Sequence, residues 1–158
     1  QDIPLAEEAD TLHLRFSLGA LKDPVAVNVG NPHAVFFVDN ADAIDLKTLG
    51  PEIEHHPFFP ERTNVEAAQV LSPSQIRLRV WERGAGITQA CGTGACATLI
   101  AAHRRGLTNR KASIILDGGP LDIEWLENNH VVMTGPVAIS FTGTIDPSIY
   151  TRSTLDIK

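Results

Sequence analysis

Apolar and polar residues alternate along Leu12-His13-Leu14-Arg15-Phe16-Ser17-Leu18 and along Gln75-Ile76-Arg77-Leu78-Arg79-Val80-Trp81. That is the period of a strand with one buried face, and both segments are predicted as strands. Shorter β-type runs occur at 25–29, 34–38, 65–71, 113–116, 121–126, 131–134 and 137–141, separated by Gly, Pro, Asn or Asp. A mostly antiparallel sheet is the expected result. The period changes at 91–105, where Ala95, Ala97, Ala101 and Ala102 leave no polar face until His103-Arg104-Arg105. This predicts a buried central helix, with cations at its negative end and Gly106 as a left-handed C-cap. Two short helices, 45–49 and 52–56, are expected on either side of Gly50-Pro51. Strands that alternate and a helix that is apolar all round are both accommodated by an α+β fold, a strongly bent, barrel-like antiparallel sheet wrapped around one central helix.

A chain of 158 residues with 43% hydrophobic content is large enough for one domain with a real core. The net charge of −6, with no basic run longer than Arg104-Arg105, argues against nucleic acid and anionic membrane as partners but leaves a small zwitterion compatible. No apolar stretch reaches the length of a membrane span, and Gln1-Asp2-Ile3-Pro4 does not read as a signal peptide. A cytoplasmic protein is therefore expected, and the missing initiator Met suggests a fragment. The two cysteines, Cys91 and Cys96, would project roughly 140° apart on one helix and cannot pair.

The candidate chemistry is concentrated in Glu82-Arg83-Gly84-Ala85-Gly86-Ile87-Thr88-Gln89-Ala90-Cys91-Gly92-Thr93-Gly94, which leads from a strand end into the start of the predicted helix. The first N–H groups of a helix have no partner within it and, with the helix dipole, favour an anion. The glycines allow close approach, and a cysteine at the opening position is expected to be exposed and to have a lowered pKa. Cys96 reads as a structural cysteine. Strand register carries Glu82 onto the same face as Ile76, Leu78 and Val80, unless the strand ends or bulges first. Taken alone, Asn31-Pro32-His33 reads as a turn with an exposed histidine, and Arg62-Thr63-Asn64 as turn or cap residues. His55-His56 lacks the companions of a metal site, so no metal is expected. Gly84-x-Gly86 lacks the rest of a dinucleotide fingerprint, and no lysine has a context that favours pyridoxal phosphate, so no cofactor is expected.

The segment from Glu82 to Ala97 resembles diaminopimelate epimerase. Asn28-Val29-Gly30-Asn31-Pro32-His33-Ala34-Val35 and Glu61-Arg62-Thr63-Asn64-Val65-Glu66 resemble the family's other carboxyl-half signatures, in its order and spacing. The resemblance implies that residues 1–146 are the carboxyl-terminal domain of such an enzyme, with 147–158 as an extension and the amino-terminal half missing. It further implies a cofactor-independent interconversion of LL- and meso-diaminopimelate by two cysteines, a step toward lysine and peptidoglycan precursors. Cys91 would be one of the pair, Glu82 would sit near it and the α-amino group, His33 would assist the cysteine contributed by the other half, and Gly92 and Thr93 would receive the α-carboxylate. Arg83, Asn31 and Asn64 would hold the distal end. The alternatives are a related proline racemase or phenazine-pathway isomerase, or a non-catalytic domain that forms a homodimer through its uncovered face.

Overall fold

The computed structural model describes residues 3–149; most of the expected extension at 147–158 lies outside them. The strands are β1 (Ser17–Leu18), β2 (Leu21–Lys22), β3 (Val25–Asn28), β4 (Pro32–Phe37), β5 (Asn64–Ser72), β6 (Gln75–Glu82), β7 (Gly86–Ile87), β8 (Lys111–Leu116), β9 (Gly119–Trp125) and β10 (Val131–Thr134). The helices are α1 (Leu46–Glu54) and α2 (Gly92–Arg104). The α+β class and the curled sheet packed on a central helix are as expected. The main sheet runs β10-β9-β8-β6-β5-β4-β3, with β7 paired to β6.

Two neighbouring pairs, β4 with β5 and β6 with β8, are parallel. Parallel neighbours require a crossover, and the helices supply it, α1 between β4 and β5 and α2 between β6 and β8. Adding α1 makes the sheet two-faced. Val35, Ala68, Ile76, Leu78 and Val80 pack with Ala95, Ala97, Leu99, Ala101 and Ala102 of α2, while Ala34, Phe36, Val65 and Ala67 pack with Leu46 and Ile53 of α1. Strands buried on both faces are nearly continuously apolar, which explains why β4 and β5 alternate less than β6.

The α1 segment is one helix rather than two, with Pro51 inside it. Proline ordinarily interrupts a helix. Here Gly50 lets the helix pack against the sheet, because a Cβ at that position would lie 2.5 Å from the Trp81 ring. In 12–18 only Ser17–Leu18 is strand. The alternation there is real, since Leu14 and Phe16 are buried, but isolated bonds such as Leu14 N to Pro24 O at 3.1 Å hold the segment in place of a ladder. Residues 137–141 form no strand, and Val137, Ile139 and Phe141 are exposed. Helix α2 is also less enclosed than expected, because Thr93, Cys96, Ile100 and Arg104 line an open groove of about 700 Å³. Its C-terminus follows the sequence: Gly106 has φ 70, its N–H donates to His103 O at 2.8 Å, and Leu107 N donates to Ala102 O at 2.9 Å. Among the described residues no helix is long and apolar enough to cross a membrane.

Candidate active site

Cys91 is the N-cap of α2. Its backbone is extended, Gly94 N donates to its Sγ at 3.3 Å, and Ala95 N donates to its carbonyl at 2.9 Å. No acceptor for the N–H groups of Gly92 and Thr93 is found among the described residues, so the turn keeps the open donors that an anion needs. Gly94 is required by close approach, since a Cβ there would sit 3.1 Å from Cys91 Sγ and 3.2 Å from Glu66 Oε1. The thiol is buried, which corrects the expectation of exposure. Its pKa is correspondingly raised from the ordinary 9.0 to about 11 rather than lowered. Burial is the main cause, any negative charge on Glu66 or Glu82 would push the same way, and hydrogen bonds from Thr93 and Gly94 oppose it.

Strand β6 reaches Glu82 without a bulge and pairs it with Gly86, so the carboxyl does continue the face of Ile76, Leu78 and Val80. Its Oε1 accepts from the Thr88 hydroxyl. The next residue turns the other way: Arg83 N donates to Asn64 Oδ1 at 2.9 Å and Arg83 Nη1 donates to Glu61 O at 3.0 Å. Asn64 also donates from Nδ2 to Pro32 O at 2.8 Å, so both ends of its buried amide hold backbone. One N–H and one lone pair of that amide remain for any ligand. Asn31 and Arg83 meet across a cavity of about 330 Å³ that Asn28, Gly30 and Glu61 also line.

His33 is buried in β4, not exposed in a turn. Its Nδ1 lies 2.6 Å from Glu66 Oε1 and its Nε2 lies 2.9 Å from Asn31 Oδ1. Asn31 Nδ2 donates to Thr93 Oγ1 at 3.4 Å, and that hydroxyl lies 3.6 Å from Cys91 Sγ. His33, Asn31, Thr93 and Cys91, drawn from two stretches of sequence some sixty residues apart, thus form one hydrogen-bonded chain. Sequence reasoning assigned nothing to Glu66, although the signal was present as a single acid within the apolar run Val65-Glu66-Ala67-Ala68. It also assigned nothing to Glu54, which accepts from Trp81 Nε1 at 2.7 Å and Gly84 N at 2.9 Å and so anchors the turn carrying Glu82 and Arg83. Cys96 is only partly buried and faces the groove beside α2 rather than this chain. Among the described residues no group of three or more His, Cys, Asp or Glu is placed to hold a metal ion.

The fold and site define an α+β half-barrel domain in which a cysteine opens the central helix at a turn with open N–H donors, backed by a buried carboxyl–imidazole pair. The chain belongs to the diaminopimelate epimerase family, whose model matches residues 25–140. It is 62% identical over 147 residues to a diaminopimelate epimerase of Rhodospirillum centenum, covering 93% of this chain and 50% of that protein. With one from Erythrobacter litoralis the identity is 60% over 144 residues, covering 91% of this chain and 54% of that protein. The chain therefore spans about half the length of the curated relatives it matches. A crystal structure of a phenazine biosynthesis protein of the PhzF family from Enterococcus faecalis overlays 66% of this chain and 38% of its own at 18% identity, with a TM-score of 0.49.

Proposed function

We propose that this chain supplies the Cys91 half of a two-thiol site that interconverts LL- and meso-diaminopimelate without pyridoxal phosphate, in the synthesis of lysine and peptidoglycan precursors. The observation that carries this reading is a buried thiol capping α2 beside the open N–H groups of Gly92 and Thr93. Inversion at an α-carbon needs a base on one face and an acid on the other. In the direction where Cys91 is the acid, a thiolate from the other half removes the α-proton and the Cys91 S–H protonates the opposite face. Cys91 is left as thiolate and the other cysteine as thiol. The reverse reaction exchanges the roles. Negative charge grows on the α-carboxylate in the transition state, and the Gly92 and Thr93 N–H groups stabilise it where it develops.

Burial keeps Cys91 protonated at neutral pH, which suits a resting acid. In this reading Glu82, which accepts from Thr88, meets the α-ammonium group, and His33, which the resemblance pairs with the thiol of the other half, also contacts Cys91 indirectly through Asn31 and Thr93. Arg83 offers a planar fork to the distal carboxylate at the cavity it shares with Asn31. The distal carboxylate has no counterpart in proline, which is why a diamino diacid is the preferred substrate. With one of the two thiols, the chain alone does not turn over.

The test is proton NMR of LL-diaminopimelate in D₂O, following loss of the α-hydrogen and appearance of the meso isomer. The chain alone is expected to show no exchange. The chain joined behind the amino-terminal half of the Rhodospirillum centenum relative is expected to invert the substrate, and Cys91→Ala in that fusion is expected to stop it. Inversion by the chain alone would refute the half-site reading. Undiminished turnover of the Cys91→Ala fusion would refute the thiol assignment.

A further inference from the structure

The direction of the hydrogen-bond chain behind Cys91 is set at its far end. Asn31 faces Thr93 Oγ1 with Nδ2 and His33 with Oδ1. An amide oxygen only accepts, so His33 Nε2 must carry a proton. The 2.6 Å contact between His33 Nδ1 and Glu66 Oε1 therefore holds one further proton, either on the ring as imidazolium or on the carboxyl. The choice is decided by the other carboxyl oxygen. Glu66 is 0% exposed, and its Oε2 has no hydrogen-bond partner among the described residues. An ionised carboxylate with one oxygen unpaired in an apolar interior is far costlier than a neutral acid there. Burial accordingly raises the Glu66 pKa, against the pull of the imidazole.

We propose that Glu66 is a positioning residue: its neutral carboxyl donates to His33 Nδ1 and thereby orients a hydrogen-bond chain that ends with the Thr93 hydroxyl donating to the Cys91 sulfur. With Nδ1 occupied as an acceptor, Nε2–H points to Asn31 Oδ1. The Asn31 N–H then points to Thr93 Oγ1, which leaves the Thr93 hydrogen for Sγ. In the opposite tautomer the amide of Asn31 turns over and accepts from Thr93, and the sulfur loses that donor. Glu66 acts on the thiol through this sequence of contacts rather than by touching substrate. Its neutrality also removes a negative charge from beside a sulfur that must become anionic in one direction of reaction, leaving Glu82 as the carboxylate facing it. Gly94 completes the arrangement, because it is the missing side chain there that lets Glu66 Oε1 and Cys91 Sγ close on one turn.

The inference rests on Cys91 being the reacting thiol. Neither readout below needs turnover, so its failure is separable from failure of exchange in the fusion. Long-range ¹H–¹⁵N NMR of the 158-residue chain at neutral pH, with His33 assigned by its loss in His33→Gln, reads the tautomer. A neutral ring protonated on Nε2 is expected; an imidazolium, or a ring protonated on Nδ1 alone, overturns the proposal. Iodoacetamide alkylation at different pH, followed at the Cys91 peptide by mass spectrometry, reads the thiol. Glu66→Gln retains an N–H donor for Nδ1, so the tautomer should persist and the thiol titration should move by less than about 0.3 pH unit. Glu66→Leu removes the donor and should release the tautomer and slow alkylation about fivefold to tenfold at pH 9. Wild-type tautomer and rate in Glu66→Leu would overturn the proposal. So would a thiol shift of a full pH unit or more in Glu66→Gln, which would mean that an ionised carboxylate had been lost. Should Glu66→Leu fail to fold, the wild-type and Glu66→Gln measurements decide.

Discussion

Glu54→Gln replaces one oxygen by an amide nitrogen at a site that requires two acceptors. Glu54 is 2% exposed and its two oxygens take the Trp81 indole N–H at 2.7 Å and the Gly84 backbone N–H at 2.9 Å, with Arg62 Nη1 3.6 Å away. A glutamine amide can accept from only one of these donors and presents N–H to the other. One hydrogen bond to a charged group, worth about 1.5–3 kcal/mol, is lost, and the other becomes a neutral bond about 1 kcal/mol weaker. Relief from holding a charge in the interior and hydration of the exposed Gly84 end offset part of this, which leaves about 2 kcal/mol. For a chain of this size that corresponds to a melting temperature lower by about 4–8 °C. Urea titration followed by circular dichroism gives the stability difference, and a double-mutant cycle with Trp81→Phe isolates the indole contribution. Because the same carboxyl anchors the turn after Glu82 and Arg83, hydrogen exchange at Gly84 should accelerate more than global unfolding requires. A stability loss below about 0.5 kcal/mol, or a cycle with no coupling, would refute this role for Glu54.

Cys91 has a definite pH signature. Between the ordinary thiol pKa of 9.0 and its raised value of about 11, the folded state keeps a proton that the unfolded state releases. Stability is therefore intact below pH 9 and falls as pH rises through that window, by up to about 1.4 kcal/mol per unit. Denaturation at pH 8 and pH 10.5 should show a steeper decline in the wild type than in Cys91→Ala; equal slopes would show that the thiol is not held protonated. Asn64→Ala removes the buried ties to Pro32 O and Arg83 N and should cost about 2 kcal/mol in a urea melt, whereas a neutral substitution would show that the amide is not structural. Gly94→Val places branched bulk against Cys91 Sγ and Glu66 Oε1 and should destabilise by about 1–3 kcal/mol; a variant of unchanged melting temperature would show that the turn has room to spare.

Elements whose cause is local were legible in the sequence. The core face of β6, the opening of α2 at Cys91 and its closing at Gly106 each depend on residues a few positions apart, and each appears where the pattern placed it. Elements decided by distant partners were not. Gly50-Pro51 reads as a break because the Trp81 ring that packs on Gly50 lies some thirty residues away. The alternation at 137–141 supplies a strand's pattern but not a neighbouring strand, and a ladder needs both. In the site, Glu82 could be placed by register alone. The buried partnership of His33 with Glu66 depends on β4 lying parallel beside β5, with His33 opposite Asn64 and Val35 opposite Glu66, a pairing that no window of sequence contains.

The same distinction accounts for the thiol. A helix start stabilises an adjacent anion by about 0.3–1 kcal/mol, and by about 2 in favourable, partly buried geometry. A pKa raised from 9.0 to about 11 opposes the anion by nearly 3 kcal/mol on the scale of about 1.4 per unit. Position at the N-terminus of α2 therefore does not make Cys91 a thiolate, because burial among the residues of the α2 core outweighs it. What the turn supplies instead is donors whose value appears when charge arrives: Gly94 N and the Thr93 hydroxyl on the sulfur, and the Gly92 and Thr93 N–H groups toward a carboxylate. In the proposed two-thiol reaction one sulfur must rest as the acid, and a buried sulfur with its donors already aimed is easily kept protonated yet stabilised on ionisation. The neutral Glu66 and the polarised His33, Asn31 and Thr93 contacts serve that requirement together, since a second bare carboxylate beside the sulfur would oppose its ionisation when the direction reverses.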